Sequence, residues 1–336
     1  MDTGSFNPHI QGLRALAALL VFWTHLCKLA AEGGILPLRH PFMLGLEVGQ
    51  FGVDLFFVIS GYLIVRSLRQ SGRIGPFLAR RIIRIVPLLW FINTLLLVLD
   101  LRMGERLAEV LPIYLQSCLM LPGMLDIAVM QTAAWSISYE ETFYLSAALL
   151  FALSRRRPKA AVILGSGLAL CLAAWHPRFA FFGVGIAALR WPVRARAPVL
   201  WLLVFLALLW AAYRGTNPIV ASIIDIRPVL LATALPFAYL CFRAVIDGET
   251  GFHTMLRSWP LQHLGLVSYS FYLWQGLILD ITWDWCPWRT PYGFAAYSVL
   301  ALALTVGVAH LSFRVLEQDT AIFLRKRWLG EDVRPA

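Results

Sequence analysis

Long apolar runs separated by short polar stretches fill the chain from end to end. A helical membrane span needs ~20 predominantly apolar residues. Ten runs approach that length, at about 11–29, 48–66, 82–100, 135–153, 159–175, 178–190, 198–213, 228–246, 262–281 and 294–313. The pattern predicts an all-α fold, a polytopic membrane helix bundle of about ten transmembrane helices. Barrel strands would alternate apolar and polar positions, whereas these runs are continuous. The sixth and seventh runs are short for a crossing. Segment 107–124 contains Pro112 and Pro122 with mixed polarity, and is expected to be re-entrant or interfacial. The expected organisation is a transmembrane domain over 1–317 and a cytoplasmic tail over 318–336, with no appended soluble domain and no internal repeat.

Composition strengthens this reading. Apolar residues make up 59% of the 336 residues and charged residues only 14%. Soluble domains run near 45–50% and about 25%, so an ordinary cytosolic enzyme and a disordered chain are both excluded. The net charge of +10 would suggest nucleic acid in a soluble protein. Here it is better read through its placement. With the N-terminus inside, about two thirds of the Lys and Arg residues fall on inside segments, including Arg66, Arg69, Arg73, Arg80, Arg81 and Arg84 in one loop. Both termini are therefore expected in the cytoplasm. Trp283, Trp285 and Trp288 cluster where an outer aromatic belt would sit. Five scattered cysteines show neither CxxC nor Cys/His spacing, so no disulfide framework and no metal site is inferred. The N-terminus lacks the basic start and cleavage site of a signal peptide, so the first run is read as a retained span.

Ionisable groups inside a span are costly and by default functional. They gather in three runs: Arg14 and His25 in the first, Asp54 in the second, Glu140 and Glu141 in the fourth. Arg14 and His25 are 11 residues apart, which places them on one helical face about 16 Å apart along the axis. The guanidinium keeps its charge at any working pH, and the imidazole exchanges a proton near neutrality. If the fourth run starts at the outer surface, Glu140 and Glu141 lie at about the depth of His25. One arrangement then lets Glu140 accept a hydrogen bond from the imidazole and fix its tautomer; a structural polar cluster is the other reading. Ser60 lies deeper in the second run beside Gly61 and reads more readily as a packing hydroxyl than as a nucleophile. Arg81 and Arg84 share a helical face, and their forks suit phosphate oxygens, although membrane-surface anchoring also accounts for them.

Six segments, in order, together resemble the integral-membrane acyltransferase-3 family. They are Arg14-x10-His25, FFVISGYLI (56–64), RRIIRIVPLLW (80–90), WSISYEETFYL (135–145), SYSFYLWQ (268–275) and FRVLEQ (313–318). The family's counterparts are Phe-Phe-Val-Leu-Ser-Gly-Phe-Leu-Ile for the second, Arg-x-x-Arg-Ile-x-Pro-x-Tyr-Trp for the third and Trp-Ser-Leu-Ser-Val-Glu-Glu-Gln-Phe-Tyr for the fourth. Gln275 stands where the family usually has histidine, Leu89 where an aromatic is common, and no proline follows Gln318.

The resemblance implies a bacterial inner-membrane O-acyltransferase. Its members acylate hydroxyls of O-antigens, exopolysaccharides, Nod factors, peptidoglycan and macrolides, so the implied acceptor is a glycan or small-molecule hydroxyl. It also implies acyl-CoA, most often acetyl-CoA, as a cytoplasmic co-substrate. Arg81, Arg84 and Arg14 would hold the donor's phosphates. His25 would serve either as general base on the acceptor or as a transient acyl carrier, with Glu140 orienting it. Ser136 or Tyr144 would stabilise the thioester oxyanion. Asp54, Ser60, Trp135, Glu141, Tyr272 and Trp274 are expected to line the substrate path or support it. Two rival classes remain at this point. A proton-coupled transporter or flippase also uses intramembrane His, Asp and Glu. A non-catalytic membrane partner would explain Gln275.

Overall fold

The computed structural model describes residues 7–125, 127–131, 134–213, 228–284 and 290–331. Trp285 and Trp288, and the basic residues Arg214, Arg227, Arg289 and Arg334, lie outside them. The described residues form helices and turns and contain no strand. The principal helices are α1 (Pro8–Glu32), α2 (Phe51–Ser71), α3 (Ile74–Arg102), α4 (Leu107–Cys118), α5 (Trp135–Arg156), α6 (Pro158–Trp175), α7 (Ala180–Arg190), α8 (Pro198–Tyr213), α9 (Pro228–Asp247), α10 (Trp259–Leu266), α11 (Ser268–Trp283), α12 (Pro291–Ser312) and α13 (Thr320–Leu329). Their ends carry local signals. The Asn7 side chain accepts from the His9 and Ile10 amides at 2.9 and 3.3 Å, with Pro8 in the first turn of α1. Helix α2 stops at Gly72, whose φ of 60° fits the left-handed cap. Thr290 caps α12 ahead of Pro291.

Each of the ten apolar runs falls on helix, but they are not ten equal crossings. Among the described residues, five helices are long and apolar enough to span, or up to six if one bent pair counts as a span. That pair is α10 and α11, the ninth run, bent by 79°. Helix α7 has 11 residues, about 16 Å of rise against a core of about 30 Å. Helix α5 is long enough but carries Glu140, Glu141, Arg155 and Arg156. Segment 107–124 forms α4 and the short helix Pro122–Leu125, neither of them long enough to cross. Residues expected to be a tail continue as helix to Leu329. Helix α13 packs on α3, and Arg80 Nη1 lies 2.8 Å from Glu331 Oε1.

Helix α1 runs through the middle of the molecule. One of its faces joins a core built with α2, α3, α5, α7 and α9; another joins a second core with α11 and α12. The outside is apolar: Val162, Ile163, Leu170 and Val299 are exposed, as a lipid-facing surface requires. The result is a multi-pass membrane protein.

Helices α2 and α7 approach most closely where two glycines face each other's backbone. A β-carbon on Gly61 would overlap the Phe182 carbonyl oxygen, and one on Gly185 would overlap that of Val58. Small residues permit this approach. Around it, Phe57 stacks on Tyr139 and Phe182 at 5.6 and 4.6 Å. Gly61→Ala is therefore expected to push the helices apart and cost about 1–3 kcal/mol, as overpacking typically does. A lowered melting temperature in detergent checks it; an unchanged one would show that the backbone carbonyls yield freely.

Candidate active site

Two interior cavities lie along α1, α3 and α11. The first, of about 100 Å³, is lined by Arg14 of α1, Ser60 of α2, Arg81 and Arg84 of α3, Ser136, Glu140 and Tyr144 of α5, and Ser268, Tyr269 and Tyr272 of α11. Its polar groups are tied together. Arg14 Nη2 donates to Ser268 Oγ at 2.8 Å. Ser60 Oγ donates to Glu140 Oε1 at 2.8 Å and the Tyr144 hydroxyl to Oε2 at 2.6 Å. Ser136 and Tyr272 share a hydrogen bond of 2.8 Å, and Tyr269 donates to the Ile85 carbonyl at 2.8 Å. The Arg81 guanidinium lies 5.7 Å from the Phe77 ring centroid and 5.8 Å from that of Tyr144. Beside this cavity Glu317 accepts from Ser270, and its charge reaches Arg14 and Arg84.

The charge balance is positive. Three guanidiniums face Glu140, with Glu317 behind, and no ion pair among the described residues uses Arg14, Arg81 or Arg84. Such a site has donors left over for an anion.

The second cavity, of about 250 Å³, is lined by His25, Lys28 and Glu32 of α1, Leu96 of α3, Gln131, and Gly276 and Asp280 of α11. Arg14 and His25 do share a face of α1, but they serve different cavities. Val21 lies between them on that face and is buried; Leu88 and Ile92 lie likewise between Arg84 and Leu96 on α3. The cavities are thus stacked along the same three helices with packed side chains between.

This corrects the expected partner of Glu140. Its carboxylate meets Ser60 and Tyr144 in the arginine cavity, not His25. Glu140 would reach the depth of His25 only if α5 started at the membrane surface. Instead its first turns are buried: Ser138 Oγ accepts from the Gly123 amide at 3.1 Å, under the short helix Pro122–Leu125. Glu140, in the second turn, consequently lies level with Arg14. Glu141 is half-buried and, like Trp135 and Trp274, lines neither cavity. Trp274 lies 6.3 Å from Phe91 by ring centroids. Asp54 also lines neither cavity. It is fully buried, 3.4 Å from Arg178 Nη1, while Arg178 Nη2 donates to Gln50 at 3.1 Å and the guanidinium lies over Trp135 at 5.4 Å.

Sequence reasoning left out Ser268 and Tyr269, although both stand in the SYSFYLWQ segment. Arg178 is likewise absent from the candidates, although its isolation in the apolar stretch AAWHPRFAFF is an available signal. Gln131 carried no signal at all.

A helical membrane bundle with hydroxyl, carboxylate, imidazole and guanidinium groups facing interior cavities has the makings of an intramembrane enzyme. The chain belongs to the acyltransferase-3 family, whose profile, described as an acyltransferase domain, matches residues 7–310. It is similar to the peptidoglycan O-acetyltransferase OatA of Listeria monocytogenes, with 28% identity over 93% of this chain and 55% of that protein. It is also similar to the acyltransferase MdmB of Streptomyces mycarofaciens, with 27% identity over 79% of this chain and 77% of that one. Nodulation protein 10 of Rhizobium leguminosarum is 26% identical over 90% and 94%. The chain thus spans about half the length of the Listeria protein. No solved structure matches the chain. The family match decides for an acyltransferase enzyme over a carrier.

Proposed function

We propose that the protein moves an acyl group, most simply acetyl, from cytoplasmic acyl-coenzyme A to a hydroxyl of a cell-envelope glycan such as an O-antigen or exopolysaccharide. The observation that carries this reading is the arginine cavity: three guanidiniums without ion pairs converge on one interior space, as the phosphates of a coenzyme A donor need. The residues fit that donor. Arg81 and Arg84 would hold phosphate oxygens, with Arg14 beside them. When bound, the donor supplies an activated thioester carbonyl. His25, in the second cavity, would take the proton of the acceptor hydroxyl as that oxygen bonds to the thioester carbonyl and the C–S bond breaks, and return it to the departing thiolate; or it would take the acyl group itself, releasing the thiol, and pass it to the hydroxyl. Either role requires the donor's arm to part the Val21, Leu88 and Ile92 packing between the cavities. The relatives' printed activities, among them peptidoglycan O-acetylation, support the reaction type. The basic residues around the turn between α2 and α3, Arg66, Arg69, Arg73 and Arg80, are those expected on the inside, which supports a donor arriving from the cytoplasm.

The test is acyl-coenzyme A turnover by the purified protein, with mass spectrometry of host envelope polysaccharide for the product. Arg84→Ala is expected to raise the KM for the donor about 10- to 100-fold, the equivalent of about 1.5–3 kcal/mol for a charged hydrogen bond, with kcat little changed. An unaltered donor dependence would place the phosphates elsewhere.

A further inference from the structure

The second cavity has a chemistry of its own. Lys28, His25, Gln131, Glu32 and Asp280 present donors and acceptors around a space more than twice the volume of the arginine cavity. Gln131 is 5% exposed; its Nε2 is spent on the Leu273 carbonyl, which holds the amide in place. Its Oε1 has no partner in the protein. A buried amide oxygen left so is costly unless a ligand or water donates to it, and a hydroxyl can do so. Glu32 and Asp280 stand exposed on the rim, and the Glu32 carboxylate is close enough to act electrostatically on Asp280. Among the described residues neither they nor Lys28 enters an ion pair. Lys28 offsets one of the two carboxylates, so the rim is net negative when His25 is neutral.

Resting on the acyl-transfer reading above, we infer that this cavity receives the acceptor, and that Glu32 and Asp280 make it take a neutral or amino-bearing sugar in preference to an anionic one. Gln131 accepts a sugar hydroxyl. The carboxylates accept further hydroxyls or pair with an ammonium, and they repel uronate or phosphate groups.

Three probes that share one ring test this: methyl glucoside, glucosamine and glucuronate, bound to the full chain in detergent and followed by saturation-transfer NMR. Methyl glucoside and glucosamine are expected to bind at least ~10-fold more tightly than glucuronate, because like charges are penalised strongly at close range. The Glu32→Gln/Asp280→Asn double variant should remove most of that difference. Both positions are exposed, so the amides leave packing untouched. Equal binding of the three probes, no binding of any, or a preference unchanged in the double variant overturns the inference. Acyl-coenzyme A turnover in the same preparation separates the two readings. Its absence sinks the transferase assignment, whereas turnover without charge preference sinks only the acceptor assignment.

Discussion

Alanine in place of His25 is expected to lower acyl transfer by about 10²–10⁴-fold, the range of a lost general acid–base group, while leaving acyl-coenzyme A affinity nearly unchanged. The two effects separate because the structure separates the residues. His25 lines the second cavity, and the arginines line the first. Buried Val21 lies between Arg14 and His25 on their common face. A variant that lost chemistry through misfolding would lose donor affinity as well, so calorimetric titration of the donor beside a transfer assay distinguishes the causes. Acceptor-free incubation with labelled donor then tells the two roles of His25 apart. A label retained on the protein and lost in the variant marks a covalent carrier; no label marks a base. Full transfer activity in His25→Ala would remove the imidazole from the mechanism altogether.

The Arg14–His25 pair shows what a helical period can and cannot reveal. Eleven residues at 100° each fix a shared direction and a separation along one axis, and the structure has both. The arithmetic says nothing about what stands opposite, so one face read as one site is in fact two cavities. The carboxylates failed for a related reason. Depth was counted from the start of an apolar run, but α5 begins beneath the short helix Pro122–Leu125, a tertiary arrangement with no local signature. The cap residues Asn7 and Thr290, by contrast, act on amides two or three residues away; such signals are local and therefore readable. The bend between α10 and α11 lies between these cases. Gly265 precedes it, but no proline stands at Val267 to announce a break in an otherwise continuous run.

Asp54 illustrates how an intramembrane acid can matter without doing chemistry. Its carboxylate is fully buried against an equally buried guanidinium, and Arg178 ties it to Gln50 and to the face of Trp135. Helix α2 supplies Asp54 and Ser60, and α5 supplies Trp135 and Glu140, so this contact helps fix the two helices whose next turns build the arginine cavity. Asp54→Ala strands a cation that cannot shed its proton. The expected cost is about 3–5 kcal/mol, the usual penalty for breaking a buried pair from one side, seen as a large fall in melting temperature and in the yield of monodisperse protein. Asp54→Asn keeps an acceptor but loses the charge and should fall between. The informative comparison is the double variant Asp54→Leu/Arg178→Leu. Burying two charges costs nearly as much as their attraction returns, so removing both should restore most of the stability lost in Asp54→Ala. If the double variant is instead as unstable as the single one, the guanidinium's contacts to Gln50 and Trp135, rather than its pairing with Asp54, hold α2 and α5 in register.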